Sequence, residues 1–165
     1  MKIEKFKEIT RTAKKDAVIT LANLGIEDDF RIRVMDRPQY EYLGEYKSFS
    51  QFGGNGSYFK LFTSIVHACK KEQSNDISAG IHSNMHSLVY GCIYDTILHE
   101  YAHVIFEFFK MRDTKMEKFI LDEFAHEENF AEEFQRWVND EAMSEYHKTF
   151  PIIIKKWKKS LTGMN

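Results

Sequence analysis

Residues 96 to 105 read Thr-Ile-Leu-His-Glu-Tyr-Ala-His-Val-Ile, a His-Glu-x-x-His pattern set among apolar side chains. Residues four apart lie on the same face of an α-helix. His99 and His103 can therefore direct one imidazole nitrogen each at a single metal ion, at the roughly 2.0–2.1 Å that zinc requires. Glu100 is rotated by about 100° around the helix axis from His99. That direction suits a general base for a water beside the metal rather than a third ligand.

The apolar setting of this pattern argues against an incidental surface motif. Ile97, Val104 and Phe108 form a stripe at helical spacing that would bury the helix. Two imidazoles and a carboxylate buried without partners would cost several kcal/mol, and a metal ion removes that penalty. The sequence therefore predicts a zinc site on this helix.

A third ligand is expected from a helix further along the chain, because catalytic zinc usually has three protein ligands and leaves the fourth position to water. Residues 117 to 138 are predicted to form one long helix whose buried face carries Phe124, Ala131, Phe134 and Val138. Glu128 flanks that face and is the preferred third ligand, with Glu132 and His126 as alternatives. Glu132, one turn after Glu128, could instead hold a ligating histidine in place. Glu127 and Glu133 are expected to point more toward solvent.

These two motifs together resemble the gluzincin arrangement of zinc metallopeptidases. The segment Glu128-Asn129-Phe130-Ala131-Glu132-Glu133-Phe134 is similar to the Glu-x-Phe-Ala-Glu-x-Phe segment of the anthrax lethal factor-like peptidases and related Pro-Pro endopeptidases. The resemblance implies that the first glutamate binds zinc and the second supports the site. It also implies that a strand just before the active-site helix pairs with extended substrate.

The chain departs from that family at several positions. The family usually has Gly where Ala102 stands, and the gap between the two motifs is shorter here. Its transition-state-stabilising Tyr corresponds to Leu121 in this chain. Four residues are open as substitutes for that tyrosine: Tyr90, Tyr94, Tyr146 and His147.

The remaining chain predicts an α+β domain, with strands first and helices after them. A helix is expected over residues 3 to 24 with Gly25 as its C-terminal stop. Strands are expected over residues 30–34, 40–49, 58–66 and 77–82, with the glycine-rich residues 53–57 as a turn. Residues 64–72 could equally form a short helix. Further helices are expected over residues 88–110, 117–138 and, after Pro151, 152–161. The resemblance makes this a minimal zincin fold: a small mixed or antiparallel sheet packed on the N-terminal helix and the active-site helix, followed by a helical C-terminal part.

Composition narrows the classes of partner and compartment. The chain has 165 residues, which fits a single domain over residues 1–165. With 23 Lys plus Arg against 25 Asp plus Glu, its net charge of −2 gives no reason to expect nucleic acid as a partner. No apolar stretch approaches the roughly 18 residues of a membrane span. The two cysteines, Cys69 and Cys92, are expected to be reduced thiols, which predicts a cytoplasmic protein.

The sequence thus predicts a zinc-dependent endopeptidase of the HExxH type that acts on a protein or peptide. Its expected zinc ligands are His99, His103 and Glu128, with Glu100 as general base. Two other readings are open. One is a non-catalytic zinc-binding module, with His126 or Glu132 as fourth ligand. The other is a regulatory protease of a mobile element that acts on a DNA-bound protein, to which only the lysine-rich C-terminus points.

Overall fold

A computed structural model describes residues 1–28, 30–48 and 57–162, which form six α-helices and a three-stranded sheet. In chain order the elements are α1 (Ile3–Asn23), β1 (Arg31–Met35), β2 (Gly44–Ser48), β3 (Ser57–Phe62), α2 (Ser64–Ser78), α3 (Met85–Arg112), α4 (Thr114–Phe124), α5 (Glu127–Asn139), a short 3-10 turn (Glu141–Met143) and α6 (Thr149–Thr162). The predicted α+β class is confirmed. No helix of the described ranges combines the length and apolar character that crossing a bilayer requires.

The sheet is mixed, one of the two arrangements expected, with β3 between β1 and β2. β1 runs parallel to β3, with Arg31 opposite Tyr58. β2 runs antiparallel to β3, with Gly44 opposite Leu61. Side chains of β1 and most of β3 alternate between more and less exposed positions, as expected for strands with one face toward a core.

By internal contacts the chain divides into two compact units, with boundaries inside α1 and α3. The first contains Met1–Val18 and Asp29–Ile97, and the second contains Ile19–Asp28 and Leu98–Asn165. The prediction of a single domain stays a prediction.

The first unit contains the sheet, α2 and the beginning of α3. In its core the rings of Phe30 and Phe59 meet edge to face at 5.2 Å. The other fully buried apolar side chains of this unit include Phe6, Ile9, Ala13, Ala17, Leu61, Ile65, Val89 and Ile93. Both cysteines are free thiols, with Cys69 buried and Cys92 half-buried.

The second unit has an aromatic core shared by α4, α5 and α6. Phe150 of α6 is fully buried, and its ring lies 4.9 Å from Trp137, 5.3 Å from Phe124, 5.8 Å from Phe134 and 5.9 Å from Phe130. On α3, the hydroxyl of Tyr101 donates to Asp28 at 2.8 Å. Phe150 thus links α6 to both α4 and α5 through buried aromatic contacts, and Tyr101 links α3 to the segment before β1.

The expected strand over residues 77–82 is wrong, because α2 continues through Ser78. Gly80 has a φ of 75°, its N–H donates to the Ile77 carbonyl at 3.1 Å, and the Ile81 N–H donates to Asp76 at 2.8 Å. This pair of bonds is the Schellman motif that ends a helix at glycine. The alternating apolar residues do not mark a buried face, since Ile77 is 66% exposed. The substrate-pairing strand that the resemblance placed here is therefore absent from residues 77–82.

The expected single helix over residues 117–138 is also wrong, since α4 ends at Phe124 and α5 begins at Glu127. Ala125 between them has φ 69° and ψ −44°, and the His126 N–H donates to the Phe124 carbonyl at 2.9 Å. This is a γ-turn of the rare, strained type. It changes the direction of the chain immediately before the candidate ligands.

The other predicted elements are confirmed in type, with shifted ends. The opening helix ends at Asn23, and Gly25 has a φ of 85°, as its role as a stop requires. Of the predicted strand over residues 40–49, only Gly44–Ser48 is a strand, and residue 49 lies outside the described residues. Residues 53–56 of the predicted glycine turn also lie outside them. Residues 64–72 are helical.

Candidate metal centre

The two histidines of the His-Glu-x-x-His pattern face a common point on α3. Their Nε2 atoms are 3.3 Å apart, and their side chains are 18% and 17% exposed for His99 and His103. The residues beside them, Leu98 and Ala102, are fully buried. Packing of the apolar face therefore orients the helix so that both imidazoles lie at the edge of the second unit's interior.

Glu128, near the start of α5, brings its carboxylate to both imidazoles. Its Oε1 lies 2.8 Å from Nε2 of His99, and its Oε2 lies 3.4 Å from Nε2 of His103. One ligand atom from each of the three residues lies within 4.8 Å of the others. In a tetrahedral zinc site, ligand atoms at about 2.05 Å from the ion are about 3.3 Å from one another. The three side chains thus fit one zinc ion with small shifts.

Burial lowers the pKa of His99 below its ordinary value, while the neighbouring carboxylates of Glu128 and Glu132 act in the opposite direction. The lowered pKa favours the neutral imidazole, which is the form that binds a metal.

Glu127 contacts the other nitrogen of His103, although its side chain was expected to point more toward solvent. Its Oε1 lies 2.7 Å from Nδ1 of His103. Glu132, predicted to support a histidine, is exposed and is near enough to affect the pKa of His99. The carboxylate that contacts Nδ1 of a candidate ligand is thus Glu127, the residue before Glu128. It is not Glu132, one turn after Glu128.

His126 and Glu133 have structural contacts of their own. The His126 Nδ1 accepts the backbone N–H of Asn129 at 3.0 Å and so caps the N-terminus of α5. Glu133 is buried and accepts a hydrogen bond from Arg136 at 2.7 Å, so the expectation that it faces solvent is wrong. Within the described part of the chain, the cluster able to hold a metal contains His99, His103 and Glu128, and neither alternative ligand belongs to it.

Glu100, the candidate general base, follows His99 on α3 and is only 8% exposed. A carboxylate is held inside the protein only when it has partners, because its desolvation is costly. Glu100 therefore places a buried carboxylate on α3, the helix that carries both histidines.

The four candidates for a transition-state-stabilising residue have the following surroundings. The Tyr90 hydroxyl donates to Asp16, which raises the pKa of Tyr90 to about 12, and its ring stacks on Tyr94. Tyr146 packs on Phe124 with 4.4 Å between ring centroids. Burial and nearby carboxylates raise the pKa of Tyr146. His147 contacts the Ser144 carbonyl through Nδ1 at 3.0 Å. The choice among them stays open.

Comparisons with protein-family models, curated proteins and solved structures gave no match to this chain. The functional interpretation therefore depends on the geometry of the three side chains and on the chemistry that such a set supports.

Proposed function

We propose that this protein is a zinc-dependent metallopeptidase that hydrolyses peptide bonds in a protein or peptide substrate. The observation that carries the proposal is the meeting of His99, His103 and Glu128, from two helices, with ligand atoms within 4.8 Å of one another. The zincin arrangement and a reducing, cytoplasmic location belong to the same proposal, the second on the basis of the two free thiols.

The donor set matches zinc in kind and number. Two imidazole nitrogens and one carboxylate oxygen form the His₂Glu set of catalytic zinc sites, in which the remaining position is open. When bound, zinc supplies a Lewis acid that polarises a carbonyl and lowers the pKa of a coordinated water. Glu128 is 57% exposed, so the cluster is accessible from solvent on that side.

Each protein side chain has a distinct part in the proposed reaction. His99 and His103 offer their Nε2 lone pairs, and Glu128 offers its carboxylate. Glu100 takes a proton from the attacking water at a carboxylate oxygen and later delivers that proton to the leaving amine. A purely structural zinc site would need a fourth protein ligand. The described residues place three in the cluster, which supports the open, catalytic arrangement over a closed one.

The proposal is tested with two variants that separate zinc binding from catalysis. Glu100→Gln should retain one zinc per chain and lose hydrolysis, whereas His103→Ala should lose both. Zinc is measured by elemental analysis after chelation and reloading. Hydrolysis is measured by mass spectrometry on a proteome-derived peptide library.

A matched control is Glu117→Gln on α4, which should keep zinc and activity. Equal zinc content in Glu100→Gln and His103→Ala, or undiminished cleavage by Glu100→Gln, would contradict the assignment.

A further inference from the structure

The corner between α4 and α5, at Ala125 and His126, is stabilised by several hydrogen bonds. The side-chain amide of Asn129 donates to the Phe124 carbonyl at 2.7 Å, and His126 caps α5 from the other side. Together with the γ-turn at Ala125, these bonds define where the first two residues of α5 lie. The corner therefore presents two consecutive carboxylates, Glu127 and Glu128, at the same place.

The two carboxylates contact different atoms of the histidine pair. Glu128 faces the Nε2 atoms, and Glu127 lies 2.7 Å from Nδ1 of His103, within the range of charge-assisted hydrogen bonds. A neutral imidazole carries one proton. If Nδ1–H donates to Glu127, the Nε2 lone pair of His103 is free for a metal, and the ring cannot rotate without losing the bond.

We propose that Glu127 is a positioning residue that fixes the tautomer and ring orientation of His103 for metal binding. This inference rests on the proposed zinc site and adds to it a residue that does not touch the metal. On this proposal the two carboxylates at the start of α5 have different roles: Glu128 binds the metal, and Glu127 orients His103.

Glu132 is the natural comparison, because it brings a similar charge near the site without such a bond. It influences His99 through its charge, and its side chain is exposed. If only the total negative charge mattered, Glu127 and Glu132 would contribute alike. If the hydrogen bond matters, only Glu127 affects how His103 binds.

The experiment compares Glu127→Ala, Glu127→Gln and Glu132→Gln in the full chain. The dissociation constant for Zn²⁺ is measured by competition with a chromophoric chelator, and the Co²⁺ visible spectrum reports ligand geometry. Loss of such a carboxylate partner typically weakens metal binding by about 10- to 100-fold, which is the effect expected for Glu127→Ala. Glu127→Gln should weaken it less, because its amide oxygen still accepts the Nδ1–H bond. Glu132→Gln should bind Zn²⁺ nearly as the unmodified protein does.

Several results would overturn the inference. These are an unchanged dissociation constant and Co²⁺ spectrum in Glu127→Ala, or a loss of affinity in Glu132→Gln as large as that in Glu127→Ala. Should Glu127→Ala not fold, the isosteric Glu127→Gln and a ¹⁵N NMR determination of the His103 tautomer decide the matter. A proton on Nε2 instead of Nδ1 in the zinc-loaded protein would refute the inference.

Failure of this inference can be told apart from failure of the proposed function. If the unmodified chain binds Zn²⁺ and Glu128→Ala abolishes binding while Glu127→Ala does not affect it, only the positioning role is refuted. If the unmodified chain does not bind Zn²⁺, both are refuted.

Discussion

Replacing Ala125 by glycine should stabilise the protein, the opposite of what the same substitution does inside a helix. The residue has a φ of 69° in a γ-turn. An L-residue with a side chain pays about 1–2 kcal/mol for such a conformation. Glycine relieves that strain but loses about 0.4–1 kcal/mol through the greater freedom of the unfolded chain. With the middle of each range, the expected net gain in the free energy of unfolding is about 0.8 kcal/mol.

The assay is urea unfolding of the metal-free protein, with Ala131→Gly as a matched control. Ala131 lies inside α5 and is fully buried, so the same substitution there should lose at least about 1 kcal/mol. A gain of the expected size corresponds to a rise in Tm of about 1–4 °C for a chain of this length. A loss in Ala125→Gly as large as that in Ala131→Gly would show that the corner is not a strained γ-turn.

Three further predictions concern the core, a tyrosine and the metal. Phe150→Ala should lower the free energy of unfolding by about 3–5 kcal/mol, because its fully buried ring packs on aromatic side chains of both α4 and α5. The exposed Ile152→Ala should change it by less than about 0.5 kcal/mol in the same urea titration. Tyr90 should ionise near pH 12 in an absorbance titration at alkaline pH, and Asp16→Asn should lower that pKa. Since the folded-state pKa of Tyr90 is raised, the stability that its hydrogen bond to Asp16 contributes is complete below about pH 10 and is lost as the pH rises through about 12. A titration of Tyr90 at its ordinary pKa would refute this hydrogen bond. Zn²⁺ at 100 times its dissociation constant should raise the free energy of unfolding by about 2.7 kcal/mol, and His103→Ala should abolish that gain in a thermal melt.

Several features of the chain could be predicted from local patterns. The opening helix follows from apolar residues at helical spacing and from Gly25, whose positive φ is the reason a helix stops there. The pair His99 and His103 follows from the geometry of any α-helix, and the structure places both imidazoles together. Gly80 is a comparable signal for the end of a helix, and its Schellman bonds explain why residues 77–82 do not form the expected strand.

The corner between α4 and α5 had no such signal. Ala125 is a good helix former, and His126 is not among the residues most favoured as N-caps, so the sequence reads as one continuous helix. The break depends on hydrogen bonds that exist only in the folded chain, such as that from Asn129 to the Phe124 carbonyl. With the break in place, helical periodicity from Phe124 no longer predicts which glutamates face α3.

By itself the sequence determined the α+β class and the helix that brings the two histidines together, because these depend on spacing along one helix and on residue chemistry. The choice of Glu128 depended on the periodicity of one continuous helix, which the structure divides into α4 and α5. Only the tertiary structure decided that Glu127 rather than Glu132 hydrogen-bonds His103, and that Glu133 is buried. The reason is physical: which face of α5 meets α3 depends on a single residue with a positive φ, and packing of the whole aromatic core, not local preference, stabilises that conformation.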